Sequence, residues 1–192
     1  MKICFATRNA GKRNEIQSML EGMFQVQTLD EIGCKEEIAE TGTTLEENSR
    51  IKASHVWNNY KVSCFADDSG LEVEALNGAP GVYSSSYGGE EGNAEKNIAR
   101  LLTEMKSESN RRARFRTVVT LILNGVEHQF EGICEGVILN EKVGSKGFGY
   151  DPVFRPDGYE ITFAEMDTAT KNAISHRGKA VRKLIAFLTM IK

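Results

Sequence analysis

The sequence has 192 residues, 40% of them hydrophobic, which fits a single enzyme-sized domain spanning residues 1–192 with one substantial core. Acidic residues (27) outnumber Lys and Arg (24), and the net charge of −3 argues against a nucleic-acid partner. No apolar run approaches the ~18 residues of a membrane span, and Met1–Cys4 opens a strand instead of a signal peptide, so we expect a cytoplasmic protein without a membrane partner.

The chain opens with a predicted buried strand at Lys2–Ala6, a loop at Thr7–Lys12 and a helix with an apolar face. Free backbone N–H groups at the helix start, together with Lys12, attract anions, so a triphosphate fits this loop. The loop is not a Walker A motif, because Ala6 and Arg13 stand where that motif needs glycine and a hydroxyl residue. Taken alone, it is also compatible with an ordinary helix N-terminus.

The next helix is predicted from two overlapping capping patterns of the form S/T-x-x-E, Thr43 with Glu46 and Thr44 with Glu47. Its apolar positions continue to about Tyr60. The two patterns differ by one residue in register, so the sequence alone leaves the capping residue open.

An apolar strand at Val62–Ala66 is predicted to break at the segment Asp67–Gly70, before an alternating strand at Leu71–Ala75. Two adjacent carboxylates repel each other unless a cation or a proton intervenes. Strand alternation lets at most one of them face a cleft. With the nearby oxygens of Glu40, Glu46 and Glu47, this pattern favours a magnesium site. The alternative is that one aspartate caps a turn.

The second half of the chain predicts a helix, a hairpin and a terminal helix. Ile98, Leu101, Leu102 and Met105 mark the first helix, and Val181, Leu184, Ile185 and Leu188 mark the last. Between them, Phe115–Leu123 and Val126–Cys134 meet across the turn Asn124-Gly125, which makes the sheet mixed.

Two further stretches suggest ligand chemistry. Phe148–Pro152 places two aromatic rings around a glycine that lets a flat ligand approach the backbone, as base stacking requires. Lys171 and the segment Ser175–Lys179 form a cationic cluster, which on its own also fits a solvated helix start. The four scattered cysteines indicate reduced thiols, with neither a zinc site nor disulfides, and His55 and His128 are interpreted as structural.

Four blocks of this sequence, in this order, resemble the inosine triphosphate pyrophosphatase family over nearly the whole chain. The blocks are Ala6–Lys12, Glu40–Asn48, Ala66–Leu71 with Gly78–Ser84, and Gly147–Pro152 with Ile174–Ala180. Members of that family convert non-canonical purine nucleoside triphosphates to the monophosphate and pyrophosphate. The resemblance therefore implies hydrolysis of ITP, dITP and XTP, which sanitises the nucleotide pool.

The resemblance also implies an α/β fold, with an elongated mixed β-sheet flanked by helices, two lobes with a central nucleotide cleft, and a homodimer. It places Mg²⁺ at Glu40 and Asp68 and makes Asp68 the general base. The implied substrate-binding residues are Thr7, Arg8, Asn9, Ala10, Gly11 and Lys12 at the phosphates, Ser69 nearby, Phe148, Gly149, Tyr150 and Asp151 at the base and sugar, and Lys171, His176 and Arg177. Ser86 departs from the family, which commonly has an arginine at this position.

In the mechanism that follows from these roles, Asp68 deprotonates or orients a water that attacks the α-phosphorus, and magnesium bridges carboxylates and phosphates. Lys12 and Lys171 are expected to neutralise the leaving pyrophosphate. His176 and Arg177 offer donors that match a purine 6-keto oxygen and oppose the 6-amino group of adenine.

Two alternatives to this function remain open at the level of sequence. One is a Maf-like pyrophosphatase acting on pyrimidine or modified nucleotides, which a substrate panel separates. The other is a nucleotide sensor without catalysis. The acidic residues disfavour the sensor, because carboxylates beside phosphates gain nothing unless a metal lies between them.

Overall fold

The computed structural model describes residues 2–191, and within them a mixed sheet of seven strands lies with five α-helices. The strands are β1 (Lys2–Phe5), β2 (Gln25–Gln27), β3 (Cys64–Val73), β4 (Pro80–Gly81), β5 (Arg112–Leu123), β6 (Val126–Ile138) and β7 (Phe154–Pro156). The helices are α1 (Ala10–Leu20), α2 (Leu45–Tyr60), α3 (Ala94–Glu104), α4 (Thr168–Ile174) and α5 (His176–Met190). None of the helices described is long and apolar enough to cross a membrane.

The strand order is β2-β1-β3-β5-β6-β7, and β4 pairs with β3. β1 runs parallel to β2 and β3, whereas β4 is antiparallel to β3 and β7 is antiparallel to β6. The predicted α/β class with a mixed sheet is confirmed.

The chain divides into two compact units. One comprises Met1–Asp68, Thr117–Gly132 and Arg177–Lys192, and the other comprises Ser69–Arg116 and Ile133–His176. The strands β3, β5 and β6 each contribute residues to both units.

Alternation along β1 gives the first unit two apolar clusters. Ile3 and Phe5 join one of them, where Phe5 stacks on Phe65 with ring centroids 4.6 Å apart. Cys4 points to the opposite face of the strand and joins the other cluster, with Cys34 and Cys64. All four cysteines are buried free thiols, as the sequence predicted.

The core of the second unit is built on aromatic rings. Phe115 packs edge-on against Phe154 at 4.6 Å and lies 5.9 Å from Phe163. Each fully buried phenylalanine contributes roughly 1.5–3 kcal/mol relative to an exposed one. The helix α3 adds Ile98 and Leu101 to this core, two residues of its predicted apolar face.

Two sequence predictions about elements are corrected by the structure. β3 is continuous through the segment that was expected to break it, because both of its aspartates find cationic partners. α1 begins at Ala10, so the predicted loop Thr7–Lys12 ends at Asn9. The sequence also missed β2, since two glutamines around one valine leave no apolar pattern.

The predicted hairpin is confirmed. Asn124 and Gly125 both have positive φ, 50° and 86°, as a two-residue turn of type I′ requires. The end of α2 at Tyr60 and the terminal helix are also where the sequence placed them.

Candidate active site

The start of α1 is shaped by side-chain caps. The side-chain oxygen of Asn9 accepts from the Lys12 backbone N–H at 3.0 Å, and the Thr7 hydroxyl accepts from the Asn9 N–H at 3.2 Å. Ala10, Gly11 and Lys12 therefore form the first helical turn. The positive end of the helix dipole lies here, so this turn can receive an anion.

Arg8, which the sequence assigned to the phosphates, is tied to a different segment. Its guanidinium pairs with Asp30 at 3.0 Å and donates to the carbonyl oxygens of Cys34 at 2.8 Å and Glu36 at 3.3 Å. The side chain braces the loop that precedes α2.

Asp67 is the centre of a buried ion-pair network in the first unit. Its side chain has 0% exposure, and it lies 3.2 Å from the ammonium of Lys12 and 3.0 Å from Nε of Arg177. Arg177 also pairs with Glu15 at 2.5 Å. These contacts hold Lys12 and Arg177 in fixed positions on α1 and α5.

Asp68 has a separate partner, the buried Lys52 of α2. The Lys52 ammonium lies 3.0 Å from a carboxylate oxygen of Glu40 and 3.6 Å from Oδ1 of Asp68. Glu40 is the exposed member of this trio, with 41% of its side chain accessible. The structure thus brings together the two predicted metal ligands, Glu40 and Asp68, around a lysine.

The two adjacent aspartates have pKa values displaced in opposite directions. Burial alone raises the pKa of Asp67, but the charges of Lys12, Arg177 and Lys52 outweigh burial and the pKa is lowered. Burial raises the pKa of Asp68, and although Lys52 and Lys12 oppose it, Glu40 and Asp67 reinforce it, so the pKa is raised. Asp67 is therefore a fixed anion, and Asp68 is the better proton acceptor.

The two carboxylates of this trio also suit a divalent cation. Oδ2 of Asp68 is buried and has no hydrogen-bond partner among residues 2–191, although its Oδ1 faces Lys52. Magnesium in proteins usually takes one or two carboxylates and fills its other positions with phosphates and waters. The donor set of Asp68 and Glu40 has this composition.

The second unit holds the predicted aromatic loop. Asp151 is buried, accepts from the Phe148 N–H at 2.9 Å and pairs with the ammonium of Lys171 at 2.5 Å. That ammonium lies 5.0 Å from the centre of the Phe148 ring. Gly147 has φ +73°, and a Cβ there would collide with the Asp151 carboxylate, so the loop requires glycine.

The remaining predicted residues of this unit lie in or beside its core. Tyr150 is buried and its hydroxyl donates to the Ser84 carbonyl at 2.7 Å, so it supports the loop from within the protein. His176 stacks on Phe115 with centroids 4.6 Å apart. Ser69 is half-buried on β3. Gly149 has φ +58°, and a Cβ added at this glycine would meet no heavy atom within 4 Å.

Sequence reasoning missed Lys52 and Glu15, both buried. A signal existed for Lys52 alone. Lys52 lies on the helical stripe of Leu45, Ser49 and Val56, all buried residues of α2. A lysine on a core-facing stripe needs a buried anion as a partner.

Comparisons with known proteins agree on one family. The Ham1 family matches residues 3–187. A dITP/XTP pyrophosphatase of Christiangramia forsetii is 52% identical, over 98% of this chain and 100% of that protein. One of Porphyromonas gingivalis is also 52% identical, over 100% and 99%. The structure of the Staphylococcus aureus Ham1 protein superposes with a TM-score of 0.90 at 37% identity and covers 100% of both chains.

Proposed function

The chain belongs to the Ham1 family, and we propose from this that it hydrolyses non-canonical purine nucleoside triphosphates to the monophosphate and pyrophosphate. Relatives named dITP/XTP pyrophosphatase align with it from end to end. The observation that carries the chemistry is the different setting of two adjacent aspartates. Asp67 is held between Lys12 and Arg177. Asp68 lies with Glu40 around Lys52, and its buried Oδ2 has no hydrogen-bond partner within the described part of the chain.

The residues of the first unit have separate roles in binding and hydrolysing the triphosphate. Lys12 and the N–H groups of the first turn of α1 bind phosphate oxygens and offset the charge that develops on pyrophosphate. Asp68 accepts the proton of the attacking water, since burial raises its pKa above that of an ordinary aspartate and makes it the better proton acceptor of the pair. Asp67 and Glu15 hold Arg177 in place.

Glu40 and Asp68 are the residues that would hold Mg²⁺. When bound, the ion neutralises phosphate charge and makes the α-phosphorus more electrophilic. Lys52 lies against the same two carboxylates, so it keeps their repulsion low in the absence of the ion.

The second unit supplies groups suited to a nucleobase. The ring of Phe148 offers a stacking face beside the ammonium of Lys171. Asp151 holds the Lys171 ammonium in place as Asp67 holds that of Lys12, and Lys171 stays assigned to the charge that develops on pyrophosphate. His176 and Arg177 stay assigned to the 6-keto oxygen, with Arg177 oriented by its carboxylate partners.

Release of phosphate and pyrophosphate from a panel of nucleotides tests the proposal. We expect pyrophosphate release from ITP, dITP and XTP, with discrimination against ATP of roughly 10²-fold or more, because an adenine amino group leaves buried donors unpaired at ~1–3 kcal/mol each. Equal kcat/KM for ATP and ITP contradicts the proposal. Preferential turnover of pyrimidine nucleotides supports the Maf-like alternative, and binding without turnover in excess magnesium supports the sensor.

A homodimer in the cytoplasm is part of the same proposal. The dimer rests on the resemblance of the sequence to a family whose members are usually homodimers. Light scattering after gel filtration measures the mass directly. A monomeric mass at micromolar concentration contradicts the dimer and leaves the hydrolytic activity to be judged on its own assay.

A further inference from the structure

A cluster of Cys34, Glu36 and His55 lies outside the carboxylate network of Asp67 and Asp68. One ligand atom from each of the three residues lies within 4.8 Å of the other two. Among residues 2–191 this is the one trio of histidine, cysteine, aspartate or glutamate with ligand atoms so close together. No spacing pattern in the sequence indicates this cluster, because Cys34 precedes α2 whereas His55 lies inside that helix.

Contacts around the cluster already orient its members. Nε2 of His55 lies 2.8 Å from Oε1 of Glu36, and the Tyr60 hydroxyl donates to the same carboxylate at 2.8 and 2.9 Å. Arg8 binds the backbone carbonyls of Cys34 and Glu36, which fixes the loop between them. Hydrogen bonds of this kind, made by residues behind the ligands, are a general feature of metal sites.

We propose that Cys34, Glu36 and His55 form a zinc site, in which they supply one sulfur, one nitrogen and one carboxylate oxygen. Such a mixed donor set suits Zn²⁺, which binds thiolate, imidazole and carboxylate in a tetrahedron. With bonds of ~2.0–2.3 Å, tetrahedral ligands lie roughly 3.5 Å apart, so the three atoms need only small shifts. Solvent supplies the fourth ligand.

Charge and access are compatible with this site. Zinc binding displaces the proton of the Cys34 thiol to solvent as the zinc–sulfur bond forms. The thiolate and Glu36 together then balance the two positive charges of the ion. The thiol is fully buried, but the side chains of His55 and Glu36 are 27% and 45% exposed, which leaves a route from solvent.

Cobalt(II) is the probe for this proposal, because a thiolate ligand gives it a near-ultraviolet charge-transfer absorption that oxygen ligands do not give. The full chain, reduced and freed of metal, is titrated with Co²⁺ in excess Mg²⁺, which occupies oxygen-ligand sites such as Glu40 and Asp68. We expect the absorption to saturate at one ion per chain and to disappear when Zn²⁺ is added.

Variants show which thiol is involved. Cys34→Ser should abolish the absorption, whereas Cys64→Ser and Cys134→Ser, at two of the other three buried thiols, should retain it. Tyr60→Phe, which removes a donor to Glu36, should weaken cobalt binding about 10-fold. If Cys34→Ser does not fold, His55→Gln and Glu36→Gln test the other two ligands instead. Each of these variants should bind cobalt more weakly than the wild type.

No absorption in the wild-type protein, or an absorption that Cys64→Ser removes and Cys34→Ser keeps, overturns the zinc site. Cys34, Glu36 and His55 then only connect the loop that precedes α2 to that helix through hydrogen bonds. The measurement follows metal binding and not turnover, so its outcome is independent of the proposed hydrolytic function.

Discussion

Neighbouring residues of one strand have different chemical properties because their partners differ. Asp67 and Asp68 are both almost fully buried, with exposures of 1% and 7%. Asp67 has two cations in direct contact, whereas Asp68 shares one lysine with Glu40. The family resemblance had already assigned the general base to Asp68, and strand alternation let only one of the two face a cleft. The tertiary partners supply the physical reason why Asp67 is the anchoring residue and Asp68 the proton acceptor.

Asn substitutions at the two aspartates should therefore have opposite effects. Asp68→Asn removes the base, and we expect kcat to fall by about 10²–10⁴-fold. Its melting temperature should stay equal or rise, because a buried carboxylate with a raised pKa is replaced by a neutral amide, and Lys52 keeps Glu40. Asp67→Asn instead leaves buried cations with fewer partners and should lower the free energy of unfolding by ~3–5 kcal/mol.

Pyrophosphate release from ITP and thermal unfolding, measured on both variants, check this pair of expectations. Asp68→Asn with wild-type turnover at saturating magnesium refutes the role of Asp68. Asp67→Asn with a wild-type melting temperature refutes the anchoring role of Asp67.

Glu40 is expected to act through magnesium. Glu40→Gln removes one of the two carboxylates of the proposed ion site, so the magnesium concentration for half-maximal rate should rise, and a chelator should abolish turnover of the wild type. Glu37→Gln is the matched control, because it makes the same change on an exposed glutamate in the same loop. A magnesium titration that is identical for Glu40→Gln and the wild type removes Glu40 from the site.

At the scale of elements, periodic patterns predicted the structure where local interactions decide it. The helix α3 and the β5–β6 hairpin follow from helical spacing and from the Asn-Gly turn. β3 was divided in two because adjacent aspartates usually end a strand, and the cations that allow them to continue it lie elsewhere in the chain. β2 was missed because it is held by pairing with β1 and not by its own composition.

The register of the cap on α2 is a prediction at this scale. The structure selects Thr44, whose hydroxyl accepts from the Glu47 N–H at 3.1 Å, while Thr43 makes an exposed hydrogen bond to the Glu47 carboxylate at 3.0 Å. Thr44→Ala should cost ~1 kcal/mol of stability. Thr43→Ala should cost less, because exposed polar pairs contribute little.

Urea unfolding of the two variants measures the difference. If Thr43→Ala loses as much stability as Thr44→Ala or more, the cap is Thr43, which is the other of the two registers that the sequence allows. Since α2 also carries Lys52, a loosened first turn is expected to affect stability before activity.

At the scale of the whole molecule, the network around Asp67 joins parts of the chain that local patterns cannot relate. Arg177 contacts a residue 110 positions away, Asp67, and another 162 positions away, Glu15. Motifs placed Arg177 in the site and Asp67 next to the assigned base, but nothing in their spacing predicts that they touch. Glu15, on α1, was missed because a glutamate on a short helix usually faces solvent.

Removal of Arg177 should therefore destabilise the fold as a whole. Arg177→Met leaves Asp67 and Glu15 buried without their shared cation, and breaking a buried pair in this way costs ~3–5 kcal/mol. For a chain of this length, that loss lowers the melting temperature by roughly 6–20 °C. Arg182→Met is the matched control, since Arg182 is exposed on the same helix and its loss should change stability by no more than ~0.5 kcal/mol. Urea midpoints of the two variants make the comparison, and if Arg177→Met unfolds at the same urea concentration as Arg182→Met, the ion pairs that connect α1, β3 and α5 do not stabilise the protein.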